Sequence, residues 1–250
     1  MCLIVVGWRV HAEYPLVVAA NRDEFYARPT AAAAAWDDPP GIVGGRDLEA
    51  GGTWLGIGGD GRFAAVTNVR EPGTAKGERS RGQLTLDFLA GRQSAAAYAR
   101  EIDGAAFSGF NLLLADGKAL WYIGNRDPRT PRELAPGIYG LSNHLLDSPW
   151  PKLLSARQRF AQALATLPDR ATLFDILADD EVVADEELPE TGVPLEWERL
   201  LSAIFVRSPT YGTRASTVVA MAADGRIAFE ERSFGASGAP LQSSVISTGV

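Results

Sequence analysis

The sequence predicts a layered fold in which antiparallel or mixed β-sheets are covered by α-helices. Apolar, β-rich runs are paired three times across an Asp-Gly turn, at Asp60-Gly61, Asp116-Gly117 and Asp224-Gly225, which is the pattern of a β-hairpin. Several runs, such as residues 112–115, are apolar at every position, as in strands that are buried on both faces. Other segments carry helix-start signals and supply the covering layers.

The first element is another hairpin, and it places the single cysteine of the chain beside charged residues. Apolar runs at residues 2–6 and 16–20 flank a short polar loop. In an antiparallel pair the positions of facing residues sum to a constant, here about 24. We therefore expect Cys2 opposite Arg22, with Asp23 one step further along.

The remaining elements are assigned from capping residues, prolines and glycines. Residues 25–40 are interpreted as a long surface loop in which the alanine run could form a helical turn, and residues 41–52 as a glycine-rich connection. The tail from residue 235 is expected to be an edge strand or a disordered segment, and the chain 1–250 a single domain. Helices are predicted at residues 82–89, 95–102, 151–164, 170–178 and 196–204.

Composition and charge narrow the classes of function. The 250 residues include 24 Lys and Arg against 31 Asp and Glu, a formal net charge of −7, so neither nucleic acid nor an anionic membrane surface is an expected partner. One cysteine excludes an intramolecular disulfide and a cysteine-based zinc or iron–sulfur cluster. The sequence shows neither a signal-peptide pattern nor a transmembrane-length apolar run, so the cytosol is the expected location.

Three other motifs are interpreted structurally. Residues 56–61 match the glycine pattern of dinucleotide binding, but a strand rather than a helix is predicted after them, so the glycines are assigned to a hairpin turn. His11 and His144 have no second ligand at metal-binding spacing and are expected to face solvent. The acidic residues within 179–187 lack the pattern of a calcium loop and are expected to be solvated.

Cys2 itself is open to two interpretations. If the initiator Met1 is removed, the Cys2 thiol and a free α-amine lie on one residue, and the amine can act as the general base of an N-terminal nucleophile. A neighbouring Arg22 would favour the thiolate, and Asp23 could orient the ammonium group. The other interpretation is a buried structural thiol.

Motifs of one known family are spread over nearly the whole chain. The first is Met1-Cys2 before an apolar strand. The others follow in order at residues 19–29 (AANRDEFYARP), 51–56 (GGTWLG), 65–68 (AVTN), 109–112 (GFNL), 139–143 (YGLSN) and 211–214 (YGTR). In these motifs the chain closely resembles the NRDE family, which is also called the transport and Golgi organisation protein 2 family.

The resemblance implies a fold and a set of site residues. The family is similar to N-terminal nucleophile hydrolases of the choloylglycine hydrolase and penicillin V acylase type, which implies an α+β, four-layer αββα sandwich with two mainly antiparallel sheets. By position, the implied site residues are Cys2 as nucleophile, Asp23 on its amine, Asn68 and Asn143 as active-site asparagines that can donate to an oxyanion, Arg214 near the thiol, and Asn21, Arg22 and Trp54 in substrate binding.

The chain departs from the hydrolase pattern at the second strand. The hydrolases carry an arginine three residues before the aspartate, where this chain has Ala20, and here Arg22 directly precedes Asp23. Adjacent residues of a strand point to opposite faces. We therefore expect Asp23 to be the partner of Cys2 and Arg22 to face elsewhere.

Two functions of different classes follow from the resemblance. The first is hydrolysis of a non-peptide C–N amide bond in a small acyl-amide or lipid-like substrate, with no cofactor required. The second is a non-catalytic protein on the same fold that carries haem or an acyl lipid, because family members are associated with lipid homeostasis and haem trafficking. The fold alone does not distinguish these functions.

Overall fold

The computed structural model describes residues 2–248, which form thirteen β-strands and five α-helices. The strands are β1 (Cys2–Trp8), β2 (Leu16–Phe25), β3 (Thr30–Asp37), β4 (Pro40–Asp47), β5 (Leu55–Gly58), β6 (Arg62–Asn68), β7 (Phe110–Ala115), β8 (Leu120–Gly124), β9 (Arg132–Leu134), β10 (Gly137–Leu141), β11 (Tyr211–Met221), β12 (Ile227–Phe234) and β13 (Pro240–Thr248). The helices are α1 (Arg81–Ala90), α2 (Ala95–Glu101), α3 (Pro151–Ala163), α4 (Ala171–Leu177) and α5 (Leu195–Leu200).

The strands pair into two antiparallel sheets. The first sheet has the order β10-β1-β2-β11-β12-β13, and the second runs in chain order from β3 to β9. The opening hairpin β1–β2 lies in the middle of the first sheet, between β10 and β11. Because both of its strands have neighbours on each side, the N-terminal segment is held at the centre of the fold.

Apolar layers hold the two sheets and the helices together. Ile4 and Phe63 belong to the core between the sheets. Leu3, on the other face of β1, packs with Leu153 of α3 in a second core that also includes α4. Phe88 of α1 belongs to a third core between the second sheet and helices α1 and α2. The order of layers is therefore helix, sheet, sheet, helix, and the predicted α+β sandwich is confirmed.

The hairpins predicted from the Asp-Gly turns are present. They are β5–β6, β7–β8 and β11–β12, and each is antiparallel. Four helices lie within one residue of their predicted ends. The fifth, α5, stops at Leu200, four residues early, and the carbonyls of Leu201 and Ala203 instead accept hydrogen bonds from the side chain of Lys152.

The prediction of loops over residues 25–52 was wrong for most of that segment. Residues 30–47 form the edge hairpin β3–β4 of the second sheet. The Trp36 indole Nε1 donates to the carbonyl of Gly44 across this pair at 2.9 Å, and the amide of Ala33 donates to the Glu231 carboxylate of the first sheet at 2.7 Å. These contacts, one within the hairpin and one between the two sheets, override the weak strand propensity of alanine and glycine.

The tail forms strand β13, so the edge-strand alternative is confirmed. It pairs with β12 and completes one side of the first sheet. Residues 249–250 lie outside the described part of the chain. Within residues 2–248, no helix combines the length and the apolar character needed to cross a membrane.

Candidate functional site

The predicted register of the opening hairpin is confirmed. Cys2 lies opposite Arg22 in the β1–β2 pair. Directly opposed residues present their side chains on the same face of a sheet, and in β1 that face is shared with Ile4 of the core between the sheets. Both Cys2 and Arg22 line a cleft of about 310 Å³, here called the Cys2 cleft, to which Trp54, Asn68 and Arg81 also contribute.

The expectation that Arg22 faces away from Cys2 was wrong. Arg22 is only 6% exposed, and its guanidinium carbon lies 4.3 Å from the centre of the Trp54 ring. Its Nη1 donates to Thr30 Oγ1 at 3.3 Å. The cross-strand register places Arg22 on the side of Cys2, and the indole face and the hydroxyl provide partners for a buried guanidinium.

Asp23 contacts Cys2 through its main chain rather than by facing it across the sheet. Hydrogen bonding from its backbone is among the effects that lower the pKa of the Cys2 thiol. Its side chain is buried, and Oδ1 accepts a hydrogen bond from Thr213 Oγ1 at 2.8 Å. Alternation along β2 directs this carboxylate toward the helix layer, on the face that carries Val17 and Ala19.

Burial controls the ionisation of both groups. It raises the pKa of the Cys2 thiol, and the negative charge of Asp23 adds to this effect, whereas the charge of Arg22 opposes it. Burial also raises the pKa of Asp23, against the stabilising charge of Lys152 and the hydrogen bond from Thr213. The site therefore contains a half-buried thiol and a buried carboxylate, whose negative charges are opposed by nearby cations.

The two predicted asparagines are brought together. Asn143 Nδ2 donates to Asn68 Oδ1 at 2.9 Å and to the Asn68 carbonyl at 3.2 Å. Asn68 lines the Cys2 cleft, and Asn143 is fully buried behind it. Because its Oδ1 is held by Asn143, the amide of Asn68 has its Nδ2 as the remaining donor.

Arg214 and Asn21 lie at the margins of this arrangement. Arg214 lines a smaller pocket next to the Cys2 cleft, where its Nη1 donates to the carbonyls of Phe25 and Arg28. Asn21 is buried, and its Nδ2 donates to the carbonyls of Leu177 and Ile204, both at 2.8 Å. Its amide is thus engaged in joining β2 to the end of α4.

Sequence reasoning missed several groups around the thiol. Ser142 Oγ donates to the Cys2 carbonyl at 3.1 Å, and Arg81, at the start of α1, lines the cleft. Burial lowers the pKa of Arg81, and attraction to Cys2 opposes this shift. Lys152, only 6% exposed, is coupled electrostatically to Asp23. Ser142 could have been found from the YGLSN motif, but Arg81 and Lys152 resemble ordinary helix-start charges in the sequence.

The histidines do not complete a metal centre. His144 is exposed, as predicted, and its Nδ1 lies 2.8 Å from Ser148 Oγ, whereas His11 is half-buried in the β1–β2 loop. Among residues 2–248 no three His, Cys, Asp or Glu side chains are grouped so as to hold a metal ion.

The layered fold of two antiparallel sheets between helices is similar to that of the N-terminal nucleophile hydrolases. The structure of the Caenorhabditis elegans N-acylethanolamine-hydrolyzing acid amidase ortholog matches it with a TM-score of 0.52 and 13% sequence identity, over 87% of this chain and 92% of that chain. Within that fold class, the chain belongs to the Transport and Golgi organisation 2 family, whose sequence profile matches residues 1–236.

Several animal proteins match the chain in sequence over most of its length. The Transport and Golgi organization protein 2 homolog of Bos taurus is 40% identical over 242 residues, which cover 88% of this chain and 87% of the relative. The Homo sapiens homolog is 39% identical with the same coverage, and the Drosophila melanogaster protein is 28% identical over 87% of this chain and 86% of its own length. The chain therefore corresponds to most of each relative.

Proposed function

We propose that this protein hydrolyses a non-peptide C–N amide bond in a small acyl-amide or lipid-like molecule. Cys2 would be the nucleophile, exposed as the N-terminal residue after removal of Met1. The observation that supports this most is the position of Cys2, which lines a cleft beside Arg22 and Asn68 at the head of a central strand. The fold of an N-acylethanolamine-hydrolyzing amidase adds support for an amide substrate.

In this mechanism the α-amine of Cys2 takes the thiol proton as the thiolate attacks the amide carbonyl carbon. The tetrahedral intermediate forms, and its oxyanion accepts a hydrogen bond from Asn68 Nδ2. The ammonium group then returns the proton to the leaving nitrogen, and the C–N bond breaks. Water, deprotonated by the same amine, attacks the resulting thioester and releases the acid and the free thiol.

The surrounding residues have distinct roles in this proposal. The positive charge of Arg22 lowers the pKa of the thiol, whereas burial raises it. The Asp23 N–H donates to the thiolate, which stabilises it as a charge-assisted hydrogen bond. Asn143 holds the Asn68 amide in the orientation that presents its nitrogen as a donor.

The second candidate is a carrier of haem or an acyl lipid in the same cleft. The observation that favours it is the thiol itself, since a thiolate is an axial ligand of haem iron. The lining weighs against such an apolar cargo, because most of the cleft side chains are polar or charged, and Trp54 and Val66 are its main apolar surfaces. For the same reason it favours a small acyl-amide over a lipid-like substrate of the hydrolase.

The hydrolase is tested first by the intact mass of protein purified from its native host, which we expect to show loss of Met1. The processed protein and its Cys2→Ala variant are then assayed against N-acyl amines and N-acyl amino acids of graded chain length. We expect Cys2→Ala to remove turnover while thermal unfolding stays within a few degrees of the wild type. Arg226→Ala, at an exposed hairpin turn, serves as the control with unchanged turnover.

Three results would contradict the proposal. Full retention of Met1 removes the amine from Cys2 and with it the general base. Unchanged turnover in Cys2→Ala would place the nucleophile elsewhere. A Soret shift on haem titration that is lost in Cys2→Ala, in a protein without amidase activity, would support the carrier instead.

A further inference from the structure

Two of the arginines that line the Cys2 cleft are not neutralised by a neighbouring carboxylate. They are Arg22 on β2 and Arg81 at the start of α1. Within residues 2–248 neither guanidinium forms a hydrogen bond to a carboxylate, and the ion contact of Arg22 with Glu24 is long, at 4.0 Å between Nη2 and Oε2. The proposed mechanism uses Arg22 only as a charge near the thiol and does not use Arg81.

Arg22 is held in the wall of the cleft by uncharged groups. Its side chain is 6% exposed, its guanidinium carbon lies 4.3 Å from the centre of the Trp54 ring, and its Nη1 donates to Thr30 Oγ1 at 3.3 Å. A guanidinium has five N–H donors, of which this hydroxyl takes one. Because Cys2 lies directly opposite Arg22 in the β1–β2 pair and both line the cleft, the other donors lie beside the thiol.

Arg81 reaches the same cleft from the helix layer of the second sheet. It is half-buried, and its Nη1 donates to the carbonyl of Gly109 at 3.1 Å, which holds the side chain without neutralising its charge. The amide of the same Gly109 donates to Glu71 at 2.7 Å, but this carboxylate is ion-paired with Arg126 at 2.8 Å. The positive charge of Arg81 is therefore available to a molecule in the cleft.

Each acidic side chain in the wall of the cleft has a partner of its own, faces solvent or faces away. These side chains are Asp47 and Glu49, which are ion-paired with Arg28 at 2.9 and 3.1 Å, Glu24, which accepts a hydrogen bond from the amide of Phe25, Glu78, which is exposed, and Asp23, which faces the helix layer. A carboxylate brought in by a ligand is the partner that the two arginines lack.

We propose that Arg22 and Arg81 provide an anion-binding subsite beside Cys2, and that the substrate is an amide with a carboxylate close to its scissile bond, as in an N-acyl amino acid. A guanidinium matches a carboxylate in shape and forms strong, charge-assisted hydrogen bonds with it. The inference deepens the proposed hydrolase function by naming the class of substrate, and it rests on that function for the reaction. Binding of a carboxylate beside the thiol is measurable without the reaction.

The test compares two alkylating reagents that differ in one group. Iodoacetate carries a carboxylate and iodoacetamide a neutral amide of similar size, and each forms the same S–C bond with the thiolate as iodide leaves. Cys2 is the only cysteine in the chain, so each rate reports on this one thiol. Because both reagents attack the same thiolate, the ratio of their rates does not depend on the thiol pKa. Both rates are measured at neutral pH, where the carboxylate is ionised, and at constant ionic strength.

We expect the ratio of the iodoacetate rate to the iodoacetamide rate to be about tenfold higher for the protein than for N-acetylcysteinamide, as for one additional hydrogen bond between charged groups. Arg81→Met and Arg22→Met should each lower this ratio by about threefold or more, and Arg81→Lys, which keeps the charge, should retain most of it. Arg79→Met is the matched control with an unchanged ratio, because Arg79 also lines the cleft but is ion-paired with Asp87 at 3.2 Å.

Three results would overturn the subsite. The first is a ratio for the wild type that is no higher than that of N-acetylcysteinamide. The second is a ratio in Arg81→Met equal to that of the wild type. The third is an equal fall in Arg79→Met, which would show a general positive field instead of a built site. Thermal unfolding shows which variants fold, and if the buried Arg22 does not tolerate replacement, Arg81→Met decides alone.

The two proposals fail separately, because alkylation needs no turnover. A raised ratio that depends on Arg81, in a protein without amidase activity, contradicts the hydrolase and supports the anion subsite. Amidase activity that depends on Cys2 but is equal for N-acyl glycines and the corresponding N-acyl glycinamides contradicts the class of substrate and leaves the hydrolase intact.

Discussion

The tripeptide Asn-Arg-Asp occurs twice in the chain, and the two copies have opposite electrostatic environments. Residues 21–23 lie within strand β2 and are all buried. Residues 125–127 lie in the turn after β8, where Arg126 is exposed and pairs with Glu71 at 2.8 Å. The same three side chains therefore form part of a candidate active site in one place and an ordinary turn in the other.

The two aspartates show the difference most clearly. Burial raises the pKa of Asp23, whereas hydrogen bonds from Arg129 lower the pKa of Asp127 to about 2. Arg132 also donates to Asp127, at 3.1 Å. The fold therefore stabilises the ionised form of Asp127 and disfavours the ionised form of Asp23. A carboxylate whose pKa is raised by burial is typical of functional sites.

The largest expected effect is on turnover, which should fall when the aspartate of the first copy is replaced but not when that of the second copy is. Asp23→Asn should lower turnover of the proposed amide substrate by up to about 10²–10⁴-fold, the range for a general base, because Asp23 is expected to orient the α-amine that acts as this base. Asp127→Asn should leave turnover within about twofold of the wild type, since its carboxylate bonds only within its own turn and to Arg132. Steady-state kinetics on the processed proteins measures both, and equal losses would remove the distinction between the copies.

A second effect concerns stability and its dependence on pH. Asp127 has a depressed pKa in the folded state, so its contribution of about 1–2 kcal/mol is present above the unfolded value near 3.9 and lost as the pH falls through about 2. Urea unfolding of the wild type and Asp127→Asn should therefore differ at pH 6 and converge at pH 2.

The contribution of Asp23 to the free energy of unfolding should depend on pH in the opposite direction. Its pKa is raised in the folded state, so its contribution is present below the unfolded value near 3.9 and lost as the pH rises through the folded value. The stability of the wild type relative to Asp23→Asn should fall as the pH rises. A difference that grows with pH would show that Asp23 is stabilised like Asp127.

Much of the fold was predictable because its signals are local. Asp-Gly turns between apolar runs fix the hairpins, and prolines and capping serines fix the starts of helices such as α2 and α3. The hairpin β3–β4 was missed because its alanines and glycines have no local strand preference. Its order comes from contacts such as the Ala33 amide with the Glu231 carboxylate, 198 residues away.

The candidate site was predictable only where it follows from strand register. The pairing of Cys2 with Arg22 follows from the length of the opening loop, and the structure has that register. The side on which Arg22 would lie was predicted wrongly, because analogy with the hydrolases was given more weight than the pairing itself. Lys152 and Arg81 could not be found, because the positions of their side chains depend on the packing of helices that are distant in sequence from Cys2.

The smallest expected effect comes from comparing the arginines of the two copies, Arg22 and Arg126. Arg22 is buried and stacks on Trp54, whereas the Arg126 side chain is 41% exposed in its pair with Glu71. Arg22→Lys should lower the free energy of unfolding by about 1 kcal/mol, because an ammonium group loses the planar stacking and is more strongly hydrated. Arg126→Lys should change it by less than about 0.5 kcal/mol, as for other exposed pairs. Urea unfolding measures both, and an equal effect would mean that the stacking on Trp54 contributes no more than a surface ion pair.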